Sequence, residues 1–80
     1  MSVTYPDRAV NGNIQGRVQV LFIVDKEGDV IDPYIWKSVE YSLDDETMRV
    51  IRESGQWEPV FQNGRHVKSY KLQPLNFKLE

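Results

Sequence analysis

The stretch Val18-Gln19-Val20-Leu21-Phe22-Ile23-Val24 decides the fold. In an extended chain Val18, Val20, Phe22 and Val24 fall on one face and Gln19, Leu21 and Ile23 on the other, which is the period of two of a β-strand. The second face turns from polar to apolar along its length, as expected of a central strand partly covered on both faces and paired on both edges. Directly after it comes Asp25-Lys26-Glu27-Gly28-Asp29, where Gly28 can take the positive φ of a tight reversal. A returning strand is expected over Val30 to Ser38, with Ile31, Tyr34, Ile35 and Trp36 favouring extended structure. Pro33 within it has no amide to donate, so this strand belongs at an edge or carries a bulge.

Working outward, the period changes after Val39-Glu40-Tyr41-Ser42. Thr47, Met48, Ile51 and Ser54 recur at three- and four-residue steps, predicting an amphipathic helix from about Asp44 to Ser54. Asp44 is the expected N-cap, with Ser42 as the alternative, and Leu43 and Met48 would then form a hydrophobic staple. Asp45 and Glu46 suit the first turn as solvated acids, Arg49 and Arg52 suit the later turns, and Gly55 supplies the stop. Trp57 follows at a position to plug the helix against the sheet. Asn63-Gly64 is a strong turn pair, and a last strand is expected from about His66 to Leu79. Pro74 assigns that strand to a sheet edge, or to a bulge there. At the other end, Thr4 to Val10 reads as a short helix with Pro6 at its first position, and Gly12 and Gly16 flank the approach to the first strand.

Eighty residues make one domain with one modest core. Ten Lys and Arg against twelve Asp and Glu give a formal charge of −2 with both signs scattered, which excludes the clustered basic face that nucleic acid requires. There is no Cys, hence no disulfide, thiolate metal site or Cys nucleophile. The longest strongly apolar run, Val20 to Val24, is far short of the roughly 20 residues that cross a bilayer, and Met1-Ser2-Val3-Thr4 lacks signal-peptide character.

The inventory for catalysis is poor, and no enzyme is expected. His66, the single histidine, stands beside a turn with no nucleophile or carboxylate at an informative spacing, and reads as a solvated strand residue. Asp44-Asp45-Glu46 is explained by capping and a solvated helix face. Asp25, Glu27 and Asp29 alternate as in a calcium loop, but the central Gly and terminal Glu of that frame are missing. No metal or cofactor is therefore called for. Tyr34, Trp36, Tyr41, Trp57, Phe61, Tyr70 and Phe77 are numerous for this length, and most are expected to pack into the core. Arg65, Lys68, Lys71 and Lys78 gather near the last strand. Two readings fit them: protection of an edge against unwanted pairing, or selection of a peptide that joins the edge as a further strand.

The chain resembles the TonB C-terminal domain over nearly its whole length. The matching residues are Tyr5-Pro6 with Ala9, the run Gly16, Val18, Val20, Phe22, Val24 and Asp25, then Gly28, Val30 and Ser38. Leu43-Asp44 at the acidic helix start, Trp57 with Pro59, Asn63-Gly64 with Val67, and the closing Pro74, Phe77 and Leu79 complete the pattern. The resemblance implies an α+β fold: a short N-terminal helix, then β-β-α-β, with a three-stranded antiparallel sheet packed on one main helix. The elements read from the residues agree with it.

The same resemblance implies a function. Residues 1–80 would be a periplasmic binding module, excised from a longer inner-membrane-anchored protein that is driven by ExbB and ExbD. It would pair by strand addition with the Ton box of outer-membrane transporters. Carried onto this chain, the receiving edge comprises Val67, Lys68, Ser69, Tyr70, Lys71, Leu72 and Gln73. Pairing is expected to be strongest before Pro74, where an added strand finds no donor. The alternatives are a partner- or ligand-binding appendage of a membrane sensor or peptidase, and a self-association domain forming an edge-paired or domain-swapped homodimer.

Overall fold

The computed structural model describes residues 2–79. Its elements in chain order are α1 (Asp7–Asn11), β1 (Gly16–Val24), β2 (Val30–Lys37), α2 (Tyr41–Glu53), β3 (Val60–Gln62), β4 (Arg65–Val67) and β5 (Ser69–Phe77). The fold is α+β, with an antiparallel sheet in the order β2-β1-β5 packed on α2 and a separate hairpin β3-β4. The alternation of β1 places Val18, Val20, Phe22 and Val24 in the core, where they meet Leu43 and Ile51 of α2, Ala9 of α1 and Phe77 of β5. Burying each of the larger side chains contributes about 1.5–3 kcal/mol. Ile35 packs against both halves of this core, one built around Val18 and Leu43 and the other around Phe22 and Ile51.

Gln19, Leu21 and Ile23 on the opposite face are only half-buried. Their cross-strand neighbours flank them, and no second layer covers them among the described residues. The expected covering of both faces is thus limited to lateral contact.

The start of α2 differs from the sequence reading. Glu40 is extended at φ −165° and ψ 155°, and its carboxylate accepts the Ser42 and Leu43 amides at 2.7 and 3.2 Å. Glu40 is therefore the cap, and the helix begins before Asp44. Asp44 instead accepts the Val39 amide at 3.1 Å and the Ser38 hydroxyl, tying down the connection from β2. With Leu43 inside the helix and buried, the staple with Met48 has no place. Glu46 is also not solvated: only 8% exposed, it accepts two bonds from Arg49 and one from the Thr4 amide at 2.7 Å. The N-terminal segment is thereby fastened to α2. Pro6 stands just before α1 as its N-cap residue, with extended ψ, and not as the first helical residue.

The last strand is two elements. Asn63 and Gly64, both at positive φ, form the tight turn that pairs Arg65–Val67 with Val60–Gln62. After Lys68 the chain changes partner, and Ser69–Phe77 pairs with β1. The aromatic expectation is overturned in most positions. Trp57 packs edge-on against Phe22 at 5.1 Å between centroids and Phe77 is buried, but Tyr34, Trp36, Tyr41, Phe61 and Tyr70 are exposed. Valines, Leu43, Ile51 and Phe22 already fill the narrow space between one helix and three strands, leaving these rings outside.

Candidate functional site

Among the described residues both outer strands of the sheet have an unpaired edge, but the two edges are built differently. In β2 the register with β1 shifts twice, between Gln19 and Val20 and between Leu21 and Ile23. Asp32 at φ 52° and Pro33 sit at the second shift, so of the expected edge or bulge the strand has both. Bulges, positive φ and a missing amide make a poor template for another strand. In β5, by contrast, the register with β1 runs unbroken from Gly16↔Phe77 to Val24↔Ser69.

The hairpin fixes which way the β5 backbone faces. The Asp25 amide donates to the Asp29 carbonyl at 3.0 Å, so the Val24↔Val30 pair is of the non-hydrogen-bonded kind. Amide and carbonyl groups alternate sides along a strand, so Val24, Phe22, Val20 and Val18 direct theirs toward β5. Their partners Ser69, Lys71, Gln73 and Leu75 turn inward. Tyr70, Leu72, Pro74 and Asn76 consequently present their backbone groups to the free edge. Pro74 sits where its missing amide costs the sheet nothing and removes one donor from that edge.

The seven residues of the sequence-derived site divide on this basis. Val67 belongs to β4 and pairs with Val60, while Lys68 lies between strands. Ser69, Lys71 and Gln73 hold β5 to β1, and only Tyr70 and Leu72 offer edge hydrogen bonds. Their side chains also divide, because Tyr70 and Leu72 share the open face with Ile23 and Leu21, whereas Lys71 shares the helix-side face with Phe22. The hairpin bond sets this phase, and Pro74 is its signal in the sequence, since an edge proline without a bulge turns its own nitrogen outward and the groups of residues 72 and 70 with it.

The site rests on a firm support. The Lys71 ammonium lies 5.4 Å from the ring centroid of Trp57, a cation–π distance. Trp57 is held in turn by Phe22, by its own Nε1 donating to the Ser54 hydroxyl at 2.7 Å, and by its amide donating to Gly28. Beyond the end of β5, a cleft of about 710 Å³ separates Arg65, His66, Val67 and Lys68 from Asp25, Lys26 and Glu27 of the β1–β2 turn. His66 is exposed and forms a T-shaped pair with Phe61 at 5.4 Å between centroids.

The strongest electrostatic perturbations lie at α2. The Glu40 carboxyl is lowered to about 2, chiefly by the Ser42 hydroxyl, with Arg8 and the capped amides adding to it. Arg49 beside Glu46 lowers that carboxyl and is itself raised by Glu46 and Glu53. These groups secure α1 and the N-terminal segment to the helix and make no contact with the β5 edge.

Residues 1–79 match the family model described as Gram-negative bacterial TonB protein C-terminal. Among solved structures, the solution NMR structure of the Pseudomonas aeruginosa TonB CTD is similar to this chain at a TM-score of 0.72 and 29% sequence identity. The match covers 100% of this chain and 81% of that one. No curated protein matches.

Proposed function

Because the chain belongs to the TonB C-terminal domain family, we propose that the free edge of β5 receives the Ton box of an outer-membrane transporter as a fourth strand. Domains of this family are periplasmic and non-enzymatic, and they transduce energy to TonB-dependent transporters. The observation that carries the reading is the contrast of edges: β2 is bulged and interrupted by Pro33, while β5 offers an unbroken register and free backbone groups at Tyr70 and Leu72. Main-chain bonds would supply most of the attachment, in the manner of strand addition. Several such bonds loaded together along the strand share a pulling force without a deep pocket. In this reading residues 1–80 form the terminal domain of an inner-membrane-anchored protein, and ExbB and ExbD act on the anchor rather than on this domain.

A backbone-amide NMR titration with Ton-box peptides from transporters of the same organism tests the proposal. Shifts concentrated on β5 and its partner residues in β1 are expected. Absence of shifts at millimolar peptide would refute strand addition here and favour the self-association or sensor-appendage readings.

A further inference from the structure

Two apolar rows cross the open face of the sheet and end at the free edge. One runs Ile31–Ile23–Tyr70 and the other Tyr34–Leu21–Leu72, each set by direct cross-strand pairing. The inner members Ile23 and Leu21 are half-buried by their neighbours, but Tyr70 remains 75% and Leu72 45% exposed because no described residue pairs beyond them. Between these two, on the opposite face, Lys71 ends the row that starts from Phe22, with its ammonium steadied over Trp57.

We infer that the β5 edge selects an extended peptide with the order apolar–acidic–apolar at three consecutive residues. The outer two side chains continue the rows at Tyr70 and Leu72, and the middle carboxylate lies beside Lys71. The inference rests on the preceding reading that this edge receives a peptide strand, and it specifies the chemistry of that strand. Side chains of an added strand alternate faces in step with those of the strand they join. The order is therefore the same for parallel and antiparallel addition. Directly opposed apolar pairs and opposite charges favour pairing, whereas like charges disfavour it. The same rule disfavours one register of a second copy of this edge as the occupant. Symmetric pairing of two β5 strands about Lys71 would set two lysines opposite each other on one face. Pro74 bounds the motif, since the edge has no donor there.

The test uses synthetic seven-residue peptides, blocked at both ends, in which Ser-Thr and Thr-Ser flank Val-Glu-Val, Val-Lys-Val or Ser-Glu-Ser. Each is titrated into the 80-residue chain and followed by backbone-amide NMR, with a Ton-box peptide as reference. Val-Glu-Val is expected to bind about tenfold more tightly than either alternative. Lys71→Gln should abolish the Glu-over-Lys preference and Lys71→Glu should reverse it, each variant being checked by its own amide spectrum. Equal affinity of the three peptides, with shifts on β5, would overturn the inference while leaving strand addition intact. Binding of the Ton-box peptide alone would also overturn it. If neither the Ton-box peptide nor any synthetic peptide shifts β5, both readings fail. Shifts on β5 from dilution of the protein alone would overturn the inference in favour of a second copy.

Discussion

The Trp57 amide donates to the Gly28 carbonyl at 2.9 Å, fastening the strap that leaves α2 to the turn between β1 and β2. Gly28 is buried at φ +91°, and a Cβ there would collide with the Trp57 carbonyl oxygen and crowd the Gln56 side chain. Turn geometry and close approach therefore both require glycine. Through this contact the hairpin turn sets the position of Trp57, and Trp57 in turn supports Lys71 at the edge.

Gly28→Ala should destabilise the domain by about 2–5 kcal/mol, combining left-handed strain with overpacking. Gly64→Ala is the control: it sits at φ +78° with open space around its Cβ, so only the strain of about 1–2 kcal/mol is expected. Urea denaturation of both variants separates the two contributions. Equal losses would contradict a packing role for Gly28.

The cap of α2 should make stability fall at acid pH. The Glu40 carboxyl is lowered from 4.5 to about 2 in the folded chain. Its stabilising contribution is then fully present above the unfolded value and is lost as pH falls from about 4.5 toward 2. Glu40→Gln should lower Tm at pH 7, and the gap to the native chain should narrow by pH 2. A gap independent of pH would show that the carboxylate charge contributes nothing to the cap.

Arg49 bridges two acids of different standing, buried Glu46 and exposed Glu53. Glu46→Ala removes two of Arg49's bonds and leaves the Thr4 amide without its acceptor, while Arg49 keeps Glu53 and the Ser2 carbonyl, and it should lower Tm more than Glu53→Ala, which breaks an exposed pair of small value. Thermal melts of the two variants at pH 7 check the order. Amide exchange at Thr4 should also speed up in Glu46→Ala alone.

The strands and their order were legible because alternation in Val18–Val24 and the two prolines carry direct steric meaning. Pro33 and Pro74 both fell where a missing amide harms no ladder. The helix start was misread because Asp44 is a better cap by type than Glu40, and only the extended backbone at Glu40 lets its longer side chain reach the Ser42 and Leu43 amides. Burial of Glu46 depends on Thr4, which is 42 residues away in sequence, and no local pattern signals that contact. Size alone points Tyr34, Tyr41 and Phe61 to the core, although β-branched residues, Leu43 and Phe22 already fill it; Trp36 and Tyr70 are not so assigned by the sequence. At the edge, the strand was legible from the sequence, but Pro74 left open an outward phase or a bulge, and the unbroken register with β1 decides for the first.

The most direct test of the account substitutes Leu72→Pro, which deletes an outward amide of β5 while leaving every inward bond to β1 in place. The variant should keep the amide spectrum of the folded domain and lose most of its affinity for a Ton-box peptide. Lys71→Pro, which removes an inward bond, should disrupt the sheet itself. A folded Leu72→Pro chain that binds the peptide as tightly as the native one would contradict strand addition at this edge.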